Sequence, residues 1–561
     1  MVSKVPNFTL SSHKQSRNAF DLSQAHLIQA APGQLLPIFN LNLIPEDSVK
    51  INVTDFVKSM PIVQSPLCDA RGVYEFFFVP YHQLWHNFDQ FITQMNDYRS
   101  TAFAVPNPPS SIPSISSKRS HKLGDTTINT FVGSPLDLAL HNPQSKQKCQ
   151  ISYLYDLLGY CPFVDSKGDN LNLNISGPTS TNFLPDYSLN LFALAAYNKI
   201  YQDYYRKTAY EAFDVSSYSL DTIPSADWFD NKLTIHQRNY GLDLLTNLRP
   251  SASLNVNGQS VFSNIIPQMF GTDTYSSHEA HYNGLPSSST DTNSTGVAFY
   301  GTGQDTLFSV SSIRAAFALD KLSQLIGRAE KDYQSQMKAV YGVDVTTGRD
   351  GKCIFIDGFS SDISFGEIDN TNGDSFGGSY STYGKVFGSG VGTINFKAPE
   401  FGILMCIYSI IPFVPYDSTK VDLFNTKHTY QDYFNPMYQH LGLQPLYKGQ
   451  YSCLTGADVN PLTQAYGWQP RYSEYKTAID TNHGSFINSQ PLRSFTASRV
   501  RTVSPYSTEL QLSDLKISPS VFDSVFTVNF DDTLNSYPFF NKVSFNVIKV
   551  SAMDSDSLPL L

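Results

Sequence analysis

The chain has 561 residues, a formal net charge of −10, and 39 Phe and 33 Tyr against only 16% charged residues. So many rings with so little charge exclude a disordered chain, and a chain of this length buries roughly three quarters of its unfolded surface. The negative balance also excludes a protein that neutralises much nucleic acid through its overall charge, because phosphate binding needs a surplus of Lys and Arg.

The N-terminal stretch, an arm over residues 1–30, is locally different. Lys4, Lys14 and Arg17 precede the first acid, Asp21. These cations read as DNA-facing, or as part of an ordinary solvated terminus. The opening MVSKVPNFTLSS lacks the apolar stretch of a secretory signal. Residues 35–43 are strand-like, and Val49, Ile51 and Val53 alternate with Lys50, Asn52 and Thr54, the period of a strand with one buried face. The Pro45-Glu46-Asp47-Ser48 turn between them predicts a hairpin. Residues 73–79 are apolar on both faces, which predicts a central strand.

Three helical stripes follow: Leu84, Trp85, Phe88, Phe91, Ile92 and Met95; then Leu194, Tyr197, Ile200, Tyr201 and Tyr204; then Ile313, Phe317, Leu322, Leu325 and Ile326. Each needs an apolar counterpart, by default within the chain. Residues 105–120, 251–306 and 359–392 are rich in Pro, Ser, Gly, Asn or Asp and read as long surface loops. In the second of these, Tyr275, His278, His281, Tyr282, Phe299 and Tyr300 sit among small polar residues, the composition of an adaptable binding surface or of an exposed spacer.

Late strands are predicted at 392–396, 401–413, 525–530 and 543–550, the last with Val543, Phe545 and Val547 on one face. Strand clusters at both ends of the chain, with more than three hundred residues between them, predict a double-sheet sandwich closed by the two chain ends. Between the late clusters runs AYGWQPRYSEYK, residues 465–476. Rings and prolines interleaved with charges suit a docking surface, since aromatics and Arg concentrate where protein surfaces meet. Trp468, Arg471, Tyr472, Glu474 and Tyr475 are its candidate contact residues.

That block resembles the Gly-aromatic-Gln-Pro-Arg-Tyr-x-Glu-Tyr run of Microviridae major capsid proteins, gokushoviruses especially. Other segments are similar to the same family in the same order: GQLLPIFNLNLIPEDSVKINVTDFVKSM at 33–60, VYEFFFVPYHQLWHNFDQFI at 73–92, LNLFALAAYNKIYQDYYR at 189–206, RNYGLDLLTNLRP at 238–250, IRAAFALDKLSQLIGRA at 313–329 and KAPEFGILMCIYSIIPFVPY at 397–416. The resemblance implies a mainly β fold, an eight-stranded antiparallel jelly-roll sandwich with long loop and helical insertions. Its first strands and helix would occupy 31–100 and the insertions and remaining strands 101–391, with a surface insertion at 251–306. The late strands and a C-terminal intersubunit segment would occupy 392–561. The implied function is a capsid protein whose sixty copies self-assemble, via pentamers, into an icosahedral T=1 shell around single-stranded DNA. A small basic peptide would accompany the DNA, and the 251–306 loop would present a host-attachment surface. The implied location is the virion, assembled in the cytoplasm of a bacterial host without membrane insertion.

Chemistry is sparse by comparison. The six cysteines form no CxxC pair and read as reduced thiols, with Cys406 a core residue. His82 and His86 are spaced for chelation with Asp89 as the only evident third ligand, and His278, Glu279 and His281 lie in a loop; both sets read as ordinary polar residues, so no metal is expected. Residues 388–393, GSGVGT, lack the Lys and following helix of a phosphate loop and read as a flexible turn. Residues 369–374, DNTNGD, miss the ligand spacing of a calcium loop and read as a surface turn. No GxSxG, HExxH or Cys/His nucleophile pattern is present, so neither catalysis nor a cofactor is expected. The competing reading is a β-rich carbohydrate-binding protein or glycosidase, for which no carboxylate pair stands out. A tail adhesin would carry fibre repeats that are absent.

Overall fold

In the computed structural model of the protein, the described residues are 17–63, 66–93, 109, 111–116, 153–160, 188–222, 232–250, 321–322, 325, 333–343, 351–369, 382–439, 442–453, 462, 465–487, 491–499, 510–530 and 534–554. The strands are β1 (Asn18–Asp21), β2 (Gln24–Ala30), β3 (Leu36–Leu43), β4 (Ser48–Ser59), β5 (Asp69–Pro80), β6 (Ser114–Ser116), β7 (Ser188–Asn190), β8 (Ile354–Asp369), β9 (Thr382–Lys397), β10 (Gly402–Phe413), β11 (Tyr416–Asp417), β12 (Leu443–Tyr447), β13 (Ala465–Pro470), β14 (Thr481–Asn482) and β15 (Phe539–Ser551).

The main sheet runs β1-β15-β4-β9-β8-β5-β10-β3, antiparallel throughout. Strand β2 pairs with the first half of β15 and β1 with its end, so the two share one edge position. In β4 and β15 alternation sorts the faces: Val49, Ile51, Val53 and Val57 point inward, as do Val543, Phe545 and Val547. Strands β5 and β10 lie inside the sheet; β10 is buried almost throughout and β5 from Phe76 to Pro80, as their apolar runs require.

The sheet is curled. Phe39 of β3 stacks on Phe545 of β15 with centroids 4.7 Å apart, although six pairings separate those strands and a flat sheet would hold them about 29 Å apart. The Asn541 side-chain amide of β15 donates to the Tyr74 hydroxyl of β5 at 2.6 Å. Tyr74 in turn donates to Asp55 of β4 at 3.0 Å, and Ser361 of β8 donates to the same carboxylate oxygen at 2.8 Å. This buried polar set lies inside an otherwise apolar core and joins strands that are not neighbours.

Two long strands turn the corner. Strand β8 pairs with β5 from Ile354 to Ile363 and with β9 from Ile363 to Asp369; β9 leaves β8 at Gly388 and pairs with β4 from Phe387 to Lys397. Most of residues 359–392, predicted as a loop, is therefore strand, and 388–393 lies within β9 instead of forming a turn. The glycines are there because strands pass closely: a Cβ on Gly390 would sit 2.5 Å from that of Ser361, and one on Gly392 would enter the Phe359 ring.

Other expectations are corrected as well. Strands β3 and β4 follow the predicted turn but do not pair; β3 joins β10, and β4 joins β15 and β9. Their turn is held elsewhere, by the exchange of Glu46 N to Ala398 O and Ala398 N to Asp47 O, both at 2.8 Å, and by the Asp47–Lys549 ion pair at 3.1 Å. Residues 525–530 contain no strand, only an isolated bridge from Phe526 to Ile62; the chain turns there so that Phe522 and Phe526 both reach Phe539. Part of the predicted 105–120 loop forms β6, paired with β7.

The first helical stripe is split into helices Tyr81–Leu84 and Phe88–Thr93, burying Leu84, Trp85 and Phe88 but leaving Ile92 exposed; Met95 is outside the described residues. The second forms the helix Phe192–Ile200, which passes into a π-turn at Tyr201–Tyr205 and packs on β5 and β10. Tyr197 donates to Leu35 O at 2.9 Å, and Lys199 pairs with Asp203 at 3.1 Å, both nearly fully buried. Arg238 grips Glu75 of β5 through both terminal nitrogens, at 2.6 and 3.2 Å. Of the third stripe, Leu322 and Leu325 are helical and the remainder lies outside the described residues. No helix among the described residues is long and apolar enough to cross a membrane.

Candidate functional site

A smaller apolar cluster of Leu244, Leu248, Tyr416, Leu446, Tyr451 and Tyr466, among others, lies apart from the sheet core. Above it β12 and β13 form an antiparallel ribbon, with Leu443 opposite Pro470 and a bulge at Leu446/Tyr447. On its other side β13 exchanges backbone hydrogen bonds with Arg249, Trp468 N to Arg249 O at 2.9 Å and Arg249 N to Trp468 O at 2.8 Å. Trp468 is thus fixed by its backbone on both sides, with a half-buried side chain.

Beyond Pro470 the chain reverses. Tyr472 takes a left-handed conformation, φ +62°, uncommon for a residue with a side chain. Its ring is buried, its N–H donates to Gln444 Oε1 at 3.0 Å, and its hydroxyl donates to Gln431 O at 3.3 Å. Arg471 donates to the same carbonyl at 3.2 Å, with its guanidinium 5.3 Å from the Tyr472 ring centroid. Glu474 turns inward: one carboxylate oxygen accepts from Lys427 at 2.6 Å and the other from Gln444 at 2.7 Å.

Lys427 is the centre of the arrangement. Its side chain is 5% exposed, and its ammonium lies 4.3 Å from the Tyr475 ring centroid, 5.0 Å from Phe424, 5.8 Å from Tyr433 and 6.0 Å from Tyr472. It also donates to Asp432 O at 2.7 Å. An ammonium enclosed by rings is stabilised only with a carboxylate and a carbonyl at hand, and all are present. Local signals shape the segment that carries it. Asp422 accepts from Phe424 N at the start of a one-turn helix, and Asn435 does the same for Met437 N. Asp432 accepts from Thr429 N and Oγ1, each at 2.8 Å, and from His428 N at 3.1 Å. Burial works to raise the Asp432 pKa, but these hydrogen bonds and the Lys427 charge outweigh it and hold the carboxyl below its ordinary value.

The outer side of this box is a surface of large apolar side chains. Met437 is 82% exposed and Tyr430 71%, with Tyr433, Phe434, Phe424 and Tyr475 about half exposed. Phe424 meets Tyr475 edge-on at 5.0 Å, and Phe434 meets Tyr472 at 5.3 Å. Of the five residues predicted for contact, Tyr475 faces outward, Trp468 and Arg471 are half-buried, and Tyr472 and Glu474 support the surface from beneath. Sequence reasoning missed Phe424, Tyr430, Tyr433, Phe434 and Met437. The signal was present, because TKHTYQDYFNPMYQH at 426–440 has the same mixture of rings, Pro and polar residues as the 465–476 block.

The remaining candidates fall elsewhere. Arg17 lies beside Glu46, 3.9 Å between charged atoms. Lys4 and Lys14 are outside the described residues, as are Tyr275, His278, His281, Tyr282, Phe299 and Tyr300. His82 meets Glu400 at 2.7 Å, and the described residues contain no group of three or more metal-ligating side chains. Among the cysteines, Cys68, Cys353, Cys406 and Cys453 are free thiols; Cys406 is in the core, and Cys149 and Cys161 are outside the described residues. A box of rings around an ion pair can bury area against a partner surface, and it holds no nucleophile with an adjacent base.

Two comparisons bear on the chain as a whole. The chain is 22% identical over 541 residues to "Capsid protein VP1" of Chlamydia phage 1, covering 84% of each chain. The profile of the family described as "Capsid protein (F protein)" matches residues 9–130 and 178–561, nearly the whole sequence including every segment of the aromatic surface. The chain belongs to that family of phage capsid proteins, and its role is structural, not enzymatic.

Proposed function

We propose that this chain is the major shell protein of a small single-stranded DNA phage, sixty copies of which close into an icosahedral T=1 particle by way of pentamers. The observation that carries the reading is the exposed aromatic surface around Lys427 on a chain of the capsid family. Exposed patches of this kind mark association sites. Tyr, Phe, Met and Arg are also the residue types that concentrate at the centre of protein interfaces. Trp468, Arg471, Tyr472, Glu474 and Tyr475 take part in the subunit contact, the inward members by fixing the shape of the outward ones.

The strand order supports a jelly roll within each subunit. Taken as two halves, β2-β15-β4-β9 and β8-β5-β10-β3 are four-stranded sheets facing one another across the Phe39–Phe545 and Tyr74–Asn541 contacts, joined at the β8–β9 corner. Successive strands of the sheet then alternate between the halves except at β5 and β8, which are neighbours in the second half, an order that fits two interlocked Greek keys. Residues 251–306, with Tyr275, His278, His281, Tyr282, Phe299 and Tyr300, form the host-attachment surface of the particle. Lys4, Lys14 and Arg17 face the DNA, a small basic peptide meets the rest of the genome's charge, and assembly takes place in the bacterial cytoplasm.

The test is sedimentation velocity on the purified chain and on Tyr433→Ser combined with Met437→Ser. The parent chain is expected to form fast-sedimenting particles and the double variant to remain as subunits or small oligomers with an unchanged circular dichroism spectrum. Normal particles from the variant would remove this surface from the shell contact.

A further inference from the structure

The outward side of β15, β4 and β9 is a second surface with a definite composition. Register sets its rows: Phe540, Lys58 and Phe387 lie side by side across the three strands, and Lys542, Phe56 and Ser389 form the next row. The rows beyond are Ser544, Thr54 and the exposed Val391, then Asn546, Asn52 and Thr393, then the half-exposed Ile548 with Lys50 and Asn395. Neither β15 nor β9 contains a carboxylate, and the one in β4, Asp55, points into the core. At the border, Asp21 accepts from Ser23, Glu46 lies between Arg17 and Lys397, and Asp362 pairs with Arg71 at 3.0 Å. Lys50, Lys58 and Lys542 have no carboxylate partner among the described residues. Phe56 and Phe387 are about half exposed, and the Lys58 ammonium is 5.3 Å from the Phe56 ring centroid.

A chain of net charge −10 has thus kept one sheet face free of outward acids and interleaved its lysines with rings. Rings standing on a sheet form a stacking platform for unpaired bases, and ammonium groups one strand away can meet the phosphates between them. Resting on the capsid reading above, we propose that this face binds the single-stranded nucleic acid inside the shell, with bases stacked on Phe56 and Phe387 and phosphates held by Lys58 and Lys542. The alternative occupant is an acidic surface of a second copy of the chain.

The experiment uses the full-length chain and a dye-labelled oligothymidylate, with affinity followed by fluorescence anisotropy over a range of salt. Lys58→Gln with Lys542→Gln is expected to weaken binding at least tenfold at low salt and to reduce the slope of log affinity against log salt by about 1.4, or about 0.7 for each phosphate left without its lysine. Phe56→Ala with Phe387→Ala is expected to weaken binding by about 5- to 150-fold per base unstacked, with the slope unchanged. Parental affinity and slope in both double variants would overturn the inference. So would a lysine variant that binds DNA normally yet no longer forms particles, because the face would then belong to a second copy. Particles that still form from the variants leave the capsid reading standing whichever way the DNA result falls.

Discussion

Lys427 shows how a single residue fixes the shape of the proposed contact. Its stem and charge are turned into the protein, where Glu474, the Asp432 carbonyl and four rings surround it, and the apolar surface is the outside of that enclosure. Removing one partner of such a pair leaves the other charge uncompensated. Glu474→Gln should therefore destabilise the subunit by about 3 kcal/mol in urea unfolding, as measured for buried pairs. An unchanged midpoint would mean that the pair does not hold the box. His236 allows a different test. Its ring lies flat on Tyr201, centroids 3.8 Å apart, and burial, then the charges of Lys516 and Lys232, push its pKa down to about 3. The unfolded chain takes up this proton near pH 6.5, whereas the folded one resists until about pH 3. Stability is therefore lost as pH falls through that window, by up to about 1.4 kcal/mol per unit from this group. A His236→Asn variant should show a correspondingly shallower loss between pH 6.5 and 4, and equal slopes would contradict this account of the site.

At the scale of elements, the strands with a clean two-residue period were legible, since a half-buried sheet face writes its pattern directly into β4 and β15. So was the interior place of β5, from Phe76, Phe77, Phe78 and Val79, which are apolar on both faces. Partners were not legible, because periodicity shows which face is buried but not against what: β3 and β4 are joined by four residues yet pair with different strands. The β8–β9 pair was hidden for the opposite reason. Its Gly, Ser and Asp residues mimic loop composition, although the glycines serve close strand crossings inside the curl. Gly392→Val would push a side chain into Phe359 and should destabilise the subunit by about 1–3 kcal/mol, read from the urea midpoint. A midpoint equal to the parent's would show that the crossing is looser than described.

For the whole molecule, strands far apart in sequence are neighbours, β1 and β2 against β15, so the sheet is complete only when β15 has joined the strands that precede it. Around it a helix covers β5 and β10, the Lys427 box stands over its own small core, and the outward side of β15, β4 and β9 carries exposed rings and lysines. Of the exposed side chains on the proposed contact surface, Tyr475 belongs to the compact 465–476 block that the sequence marks, whereas Phe424, Tyr430, Tyr433, Phe434 and Met437 come from residues some forty positions earlier. They are brought alongside by the Lys427–Glu474 pair, a long-range contact that no local pattern announces. The most direct test is a cryo-electron microscopy reconstruction of particles formed by the purified chain. A closed shell of sixty copies with Tyr430, Tyr433, Met437 and Tyr475 covered by a neighbouring subunit is the predicted result; subunits that never close into shells, or shells in which these side chains face solvent, would contradict it.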